Sequence, residues 1–285
     1  MSSDDAALDG PTPLAPGDVA MPGYRVVTHL RRGHDLDVYD LWSDARDCRV
    51  IGKMARPDRV DKRGVASRLL EEGRLLRRLS HPHIVRAYEV IAGPPPVVVL
   101  ETLPGETLAA LSERVGRLPA REVAQLGVHL ASALTYLHRQ NILHLDLKPG
   151  NIIVSQGLAK VLDLSLGRPP GRARPGRGTT GYMSPEQIAG GQLTSAADTW
   201  GLGATLFELL TGEYACDLPD DGRTSTGASA SEVCVPPPVR RYRRLAGPLP
   251  ALIDACLHPD PGKRPDLQAL RIALEAIVNA SSDQR

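Results

Sequence analysis

Hydrophobic periodicity changes character at Leu103-Pro104-Gly105, and that change constrains the fold of this 285-residue chain more than any other feature. Ahead of it, Tyr24-Arg25-Val26-Val27, Val38-Tyr39-Asp40-Leu41-Trp42 and Arg49-Val50-Ile51 read as antiparallel strands. Val85 to Ile91 and Val97 to Leu100 add two more, on either side of the turn Gly93-Pro94-Pro95-Pro96. One helix interrupts them, Ala66 to Leu79, with Leu69, Leu75, Leu76 and Leu79 on one face. Beyond the change the chain turns to long helices. Pro119 opens one in which Val123, Leu126, Leu130, Leu134 and Leu137 recur at helical spacing, and Asp198 to Leu210 forms another, ended by Thr211-Gly212. Leu249 to Leu257 and Leu267 to Val278 supply two more. The expected class is α+β: a small antiparallel sheet lobe over 24–101 and a larger, mainly helical lobe over 104–278, with a cleft between them. Residues 1–22, rich in Asp, Ala, Pro and Gly, read as a disordered leader, 216–240 as a surface loop, and 279–285 as a tail.

Composition removes several classes of function. Lys and Arg number 34 against 33 Asp and Glu, a net charge of +1 that gives no overall pull towards nucleic acid or membrane. Only 4% of residues are aromatic, which also disfavours a nucleic-acid binder. No apolar run approaches the roughly 18 residues that span a bilayer. Met1-Ser2-Ser3-Asp4-Asp5 is acidic and is not a secretory signal. Cys48, Cys216, Cys234 and Cys256 are widely spaced, with no C-x-x-C, and read as reduced thiols of a cytoplasmic protein rather than a disulfide framework or a zinc site. Oligomeric state is not legible.

The chemistry gathers in a loop after the first long helix, His144-Leu145-Asp146-Leu147-Lys148-Pro149-Gly150-Asn151, followed by an apolar strand that ends in a carboxylate, Val161-Leu162-Asp163. Two Asp and an Asn are hard oxygen ligands suited to Mg²⁺, which takes one or two protein carboxylates with phosphate oxygens and water. A carboxylate outside the metal shell can orient a hydroxyl and accept its proton. In the N-terminal region Glu72 shares the helix face of Leu69, Leu75, Leu76 and Leu79, so its charge calls for a cationic partner.

These residues, in this order, resemble the protein kinases of the eukaryotic-like serine/threonine type, over 24 to about 278. The loop is similar to H-R-D-L-x-x-x-N with Leu145 in place of Arg, and Asp163-Leu164-Ser165 stands where D-F-G is usual. Gly178-Thr179-Thr180-Gly181-Tyr182-Met183-Ser184-Pro185-Glu186 resembles the segment ending in A-P-E. Asp198-Thr199-Trp200-Gly201 resembles the helix whose Asp braces the catalytic loop, and Asp260 to Pro265 the motif whose Arg, here Arg264, pairs with Glu186. The resemblance implies ATP and Mg²⁺, or Mn²⁺, as cofactors and a protein substrate. It implies Asp146 as the acceptor of the substrate proton and Lys148 as the cation beside the γ-phosphoryl. Asn151 and Asp163 become the metal ligands. Lys53 becomes the phosphate-contacting amine, paired with Glu72. Gly33 and Val38 belong to the nucleotide loop, and Glu101 to Leu103 form the hinge that reads adenine, with Leu100 as gatekeeper.

The chain departs from the pattern in three places. Of the three glycines of the nucleotide loop only Gly33 remains, with Arg31 and Leu36 at the other two positions, so weakened or altered ATP binding is expected. Asp35 and Asp37 bring negative charge there, which Arg31, Arg32 and His34 are placed to offset. Ser165 stands for a glycine, and Leu145 for the Arg that clamps a phosphorylated segment. Arg168, Arg172, Arg174 and Arg177 read as a solvated flexible basic loop, or functionally as an attraction for an acidic or already phosphorylated substrate. The leading expectation is an active serine/threonine kinase. The alternatives are a pseudokinase acting as a nucleotide-binding scaffold or allosteric regulator, and a small-molecule phosphotransferase.

Overall fold

The computed structural model describes residues 10–216 and 234–280. The chain forms two compact units. One takes the chain up to Ser80 together with Ile84–Pro104; the other takes His81–His83 and everything from Gly105 onward.

In the first unit β1 (Val19–Met21), β2 (Tyr24–Arg32), β3 (Leu36–Ser43), β4 (Cys48–Ala55), β5 (Ala87–Ile91) and β6 (Val97–Glu101) build one antiparallel sheet in the order β1-β2-β3-β4-β6-β5. Alternation along the strands sends Tyr24, Val26, Tyr39, Leu41, Val50, Met54, Val97 and Val99 into one apolar cluster. Residues 1–22 were expected to be disordered, and here the structure differs: Leu14, Ala20 and Met21 pack on that cluster, and β1 pairs with β2. The Leu14 N–H donates to Tyr39 Oη (3.1 Å) and the Gly17 N–H to the Val26 carbonyl (2.9 Å). A few apolar residues without periodicity are invisible to composition, yet they cover a sheet face that water would otherwise wet. Residues 1–9 lie outside the described ones.

Helix α1 (Val65–Arg78) follows the left-handed Gly64 and packs against β4, β5 and β6. Its buried stripe is Val65, Leu69, Glu72, Gly73 and Leu76. Gly73 sets the approach: a Cβ there would stand 2.5 Å from Val98 Cγ2 and 2.9 Å from Val90 Cγ2.

The second unit contains β7 (Glu106–Thr107), α2 (Leu108–Val115), α3 (Ala120–Arg139), β8 (Ile152–Ser155), β9 (Leu158–Val161), β10 (Gly171–Arg172), α4 (Pro185–Ala189), β11 (Gln192–Leu193), α5 (Ser195–Thr211), α6 (Leu249–Cys256) and α7 (Leu267–Ala280). Helix α5 is its axis: every residue from 197 to 211 except Glu208 is buried, as expected of a helix apolar on all sides. Helix α3 packs against α5, α7 and β9. Arg243 donates to the carbonyls of Leu118 (2.6 Å) and Leu210 (2.9 Å), capping the last turn of α5. No helix among the described residues is long and apolar enough to cross a membrane.

Cys216 and Cys234 form a disulfide, which corrects the reading of four reduced thiols. Eighteen residues of separation do not keep two cysteines apart when the chain returns, and their Cα atoms lie 5.8 Å apart. Cysteine spacing therefore carries no argument about compartment. Cys48 and Cys256 are free, and burial pushes the Cys256 thiol up to about 12. Most of the loop expected over 216–240 lies outside the described residues.

Strand β9 is the outer strand of the sheet β7-β8-β9. Gln156 (φ 51°) and Gly157 (φ 79°) turn the chain between β8 and β9 with both central residues left-handed. Of the neighbouring groups, the imidazole of His129 on α3 is held from its ordinary 6.5 down to about 4, first by burial and then by the stacked ring of His83. His83 and His81 are lowered by burial too, and Lys160 adds to the effect on His83.

Two outcomes follow from this packing. Gly73→Ala is expected to push α1 off β5 and β6 and destabilise the first unit by about 1–3 kcal/mol, measured by urea unfolding. Because His129 is depressed, its contribution is complete above pH 6.5 and is lost as pH falls towards 4, a linkage of about 3 kcal/mol. Unfolding free energies from pH 7 to 4 should therefore fall less steeply for His129→Asn than for the parent.

Candidate active site

In the first unit Lys53 lies on β4 opposite Val38 of β3, so the two share a sheet face, the one turned away from the Met54 cluster. Lys53 Nζ meets Glu72 Oε1 at 2.7 Å, and Glu72 is 3% exposed. The apolar stripe of α1 and the pleat of β4 thus bring together the carboxylate and amine that sequence paired. At the expected hinge the Glu101 N–H donates to the Arg86 carbonyl (3.0 Å), and Glu101 Oε1 accepts the Arg86 N–H (3.0 Å). The Glu101 side chain is thereby fixed to the strand edge, and Leu103 is half-buried two residues on.

The degenerate nucleotide loop is a closed turn. The Gly33 N–H donates to the Leu36 carbonyl (2.7 Å), and the Gly33 carbonyl accepts from Arg56 Nη1 (3.1 Å). Gly33 therefore keeps its N–H within the turn. The two loop carboxylates are neutralised locally. Asp37 is 1% exposed and takes a two-pronged contact from Arg32 (2.9 and 3.0 Å), with His29 Nε2 at 3.2 Å. Asp35 is paired with Arg68 of α1 (3.1 Å). The fully buried Arg56 also grips Asp58 through Nε and Nη2 and holds that carboxyl below the usual range.

In the second unit one buried carboxylate organises the loop that carries Asp146. Asp198 accepts the N–H of His144 (2.8 Å) and of Leu145 (2.7 Å), while His138 Nε2 stands 2.7 Å from it. Leu145 is left-handed (φ 66°), costly for a bulky residue, and Gln187 Nε2 fixes its other side by donating to its carbonyl (2.9 Å). Where the family pattern has Arg, Leu145 packs with Leu143, Leu193 and Ala197, and Leu166 and Ala173 of the following segment close over it. Next in the chain, Asp146 gathers three groups. Thr179 Oγ1 donates to its Oδ1 (2.7 Å), Lys148 Nζ lies 3.3 Å from its Oδ2, and Asn151 Nδ2 donates to its Oδ2 (3.1 Å) and carbonyl (3.0 Å). Lys148 in turn donates to Thr179 Oγ1 (2.5 Å).

Both donations from Asn151 leave through its nitrogen, so its amide oxygen is the end available to a cation. Asp163 lies two residues beyond β9 and accepts the Ser165 N–H at Oδ1 (2.8 Å). Ser165 needs no left-handed backbone and replaces glycine without strain. Among the described residues no three His, Cys, Asp or Glu side chains gather as a metal cage. One amide oxygen and one carboxylate instead fit Mg²⁺, which keeps water and substrate phosphate in its shell.

The segment from Asp163 to Glu186 is tied to the rest of its unit by backbone hydrogen bonds. Leu143 and Arg168 exchange both backbone hydrogen bonds, β10 pairs with β11, and the Gly176 N–H donates to the Gln187 carbonyl (2.9 Å). Arg172, Arg174 and Arg177 are exposed along it. Tyr182 donates to the half-buried Glu208 of α5 (2.5 Å), whose carboxyl partial burial raises. Arg264 binds Glu186 through two hydrogen bonds (2.6 and 2.9 Å) and lies over the Trp200 ring, the pairing expected from sequence. Three residues escaped sequence reasoning: Thr179, Gln187 and His138. Gln187 had a legible signal, the capping box Ser184-Pro185-Glu186-Gln187 that opens α4. Thr179 had none beyond its hydroxyl.

A helical unit that braces such a loop on a buried Asp and a sheet unit with a Lys–Glu pair are together the parts of a phosphoryl-transfer fold. The family model described as "Protein kinase domain" matches residues 24–273, and the chain belongs to that family. It is 30% identical over 244 residues to the serine/threonine-protein kinase PknA of Corynebacterium glutamicum, covering 81% of this chain and 51% of that protein. It is 32% identical over 261 residues to PknK of Mycobacterium tuberculosis, covering 89% of this chain and 23% of that protein. A plant relative, CBL-interacting protein kinase 4 of Oryza sativa, is 33% identical over 271 residues, covering 89% and 57%. The chain spans about half the length of several of these relatives, and less of PknK.

Arg264→Ala leaves Glu186 without its buried partner, and a loss of about 3–5 kcal/mol is expected, read as a lowered unfolding midpoint. A midpoint unchanged from the parent would show that this pair does not hold the segment.

Proposed function

We propose that this chain is a serine/threonine protein kinase that transfers the γ-phosphate of ATP to a hydroxyl of a protein substrate. The observation that carries this reading is the cluster of Asp146, Lys148, Asn151 and Thr179, with hydrogen-bonding distances throughout. Phosphoryl transfer asks little covalent work of a protein and much positioning and charge stabilisation, which a cluster of this kind supplies.

Asp146 accepts the proton of the substrate hydroxyl. Thr179 and Asn151 hold its two carboxylate oxygens in one orientation, and Lys148, 3.3 Å away, sets a cation where charge builds on the transferred group. Asn151 and Asp163 would hold Mg²⁺ or Mn²⁺, which when bound neutralises phosphate charge. Lys53, kept in place by Glu72, contacts the phosphates. The hinge from Glu101 to Leu103 takes adenine through backbone groups, with Val38 on the face of Lys53. Gly33 contributes its place in a closed turn rather than a free N–H, which supports weak nucleotide affinity. The exposed Arg172, Arg174 and Arg177 suit an acidic or already phosphorylated protein substrate.

The test is transfer of labelled γ-phosphate with Mg²⁺ or Mn²⁺, to the protein itself and to one basic and one acidic carrier protein. Asp146→Asn should lower the rate about 10²–10⁴-fold, and Asp163→Ala should abolish label. No transfer by folded parent protein that binds nucleotide would overturn the reading in favour of a scaffold.

A further inference from the structure

The outer edge of β9 raises a problem that the catalytic machinery does not solve. In the hairpin closed by Ser155 and Leu158, the pair Val154 and Ala159 is a non-hydrogen-bonded one, so the peptide groups of Ala159 and Val161 point away from β8. Ala159 is fully buried, and its N–H and carbonyl cannot be left to water. Two imidazoles from opposite sides of the sequence take them. The Ala159 N–H donates to His129 Nδ1 (3.4 Å), and His83 Nδ1 lies 2.9 Å from the Ala159 carbonyl. The Val161 N–H donates to the His83 carbonyl (3.0 Å), and the two rings stack with centroids 4.2 Å apart at 19°.

The hydrogen bonds fix both tautomers. A carbonyl can only accept, so His83 carries its proton on Nδ1. A backbone N–H can only donate, so His129 Nδ1 is bare and its proton sits on Nε2; Gln125 Nε2 stands 2.8 Å away, and turning that amide over sets its oxygen there as the acceptor. His129 is therefore neutral, in keeping with its burial, and burial favours the neutral form of His83 as well. The supports are themselves anchored. His81 Nδ1 accepts the His83 N–H (3.2 Å), and the His81 ring stacks on Tyr136 of α3. Gln125, His129 and Tyr136 form one stripe of α3 with a spacing of four and seven residues, so one helix face carries the whole support.

We propose that His83 and His129 are positioning residues that clamp the Ala159 peptide from both sides, fixing β9 and hence the carboxylate of Asp163 two residues beyond it. This rests on the reading of Asp163 as a metal ligand, so the test has one arm that does not. In the unliganded full chain at pH 7.5, amide exchange is measured across 156–162 for the parent, His129→Asn and His129→Gln. Asn sets a side-chain oxygen where Nδ1 stood, and Gln sets its polar end where Nε2 stood. Exchange at Ala159 should rise at least about tenfold in His129→Gln and return to within a few-fold of the parent in His129→Asn. In the second arm, Mn²⁺ binding in the presence of a non-hydrolysable ATP analogue, read by electron paramagnetic resonance, should weaken about tenfold in His129→Gln and recover in His129→Asn. Equal exchange in parent and His129→Gln overturns the clamp. Altered exchange with Mn²⁺ binding unchanged overturns its reach to Asp163. If His129→Gln does not fold, His83→Asn, which keeps a donor at Nδ1, must leave Ala159 protected, and loss of protection there overturns the proposal. Should the parent protein transfer no phosphate, the exchange arm still reads the clamp by itself.

Discussion

The buried carboxylate of Asp198 is the interaction on which the rest of the candidate site depends. A charge inside a nearly all-apolar helix is sustained only by donors that meet it, and here the donors are two successive backbone N–H groups and an imidazole. Those two N–H groups belong to His144 and Leu145, so satisfying the charge forces the loop into the left-handed step at Leu145. That step, locked on its other side by Gln187, decides where Asp146 points. The Arg264–Glu186 pair then secures the helix that carries Gln187. A core helix, a strained loop and the carboxylate of Asp146 are thus one electrostatic unit.

Charge is handled differently in the first unit. The loop at Gly33 has one glycine of the expected three, and its turn, closed by the Gly33 N–H on the Leu36 carbonyl, is held by side chains. Arg56, without access to water, is the centre of that arrangement, since its guanidinium reaches both Gly33 and Asp58 and its N–H donates to the Asp35 carbonyl (3.0 Å). The acidic residues that looked hostile to phosphate are matched by Arg32, His29 and Arg68, of which only Arg32 was foreseen. A loop of this kind gains rigidity and gives up donors. The Lys53–Glu72 pair is independent of it, because it arises from the packing of α1 on the sheet.

Much of the site was legible because the chemistry lay in local order. Glu72 could be placed from helical spacing alone, and its buried position demanded a cation, which proved to be Lys53. Asp146, Lys148 and Asn151 lie within six residues, and a loop that short brings them together. The pairing of Arg264 with Glu186, 78 residues apart, was read only through resemblance. Thr179 was missed because a hydroxyl carries no pattern, and only the return of the segment brings it 2.7 Å from Asp146. The ordered leader was missed for a related reason: Leu14 and Met21 have no periodicity of their own and take their place from the sheet face they cover.

The sequence by itself determined the α+β class, the order of the elements and the ionisable groups of the site, because periodicity and short-range spacing are properties of the chain. Only the tertiary structure decided which distant groups meet. It joined Cys216 to Cys234, closed the Gly33 turn with Arg56, and set two imidazoles on the peptide of Ala159. Each of these satisfies a need created by burial, whether an unpaired peptide group, a desolvated charge or a bare apolar face. Such a need has no partner until the chain has folded, and so its solution cannot be read from local spacing.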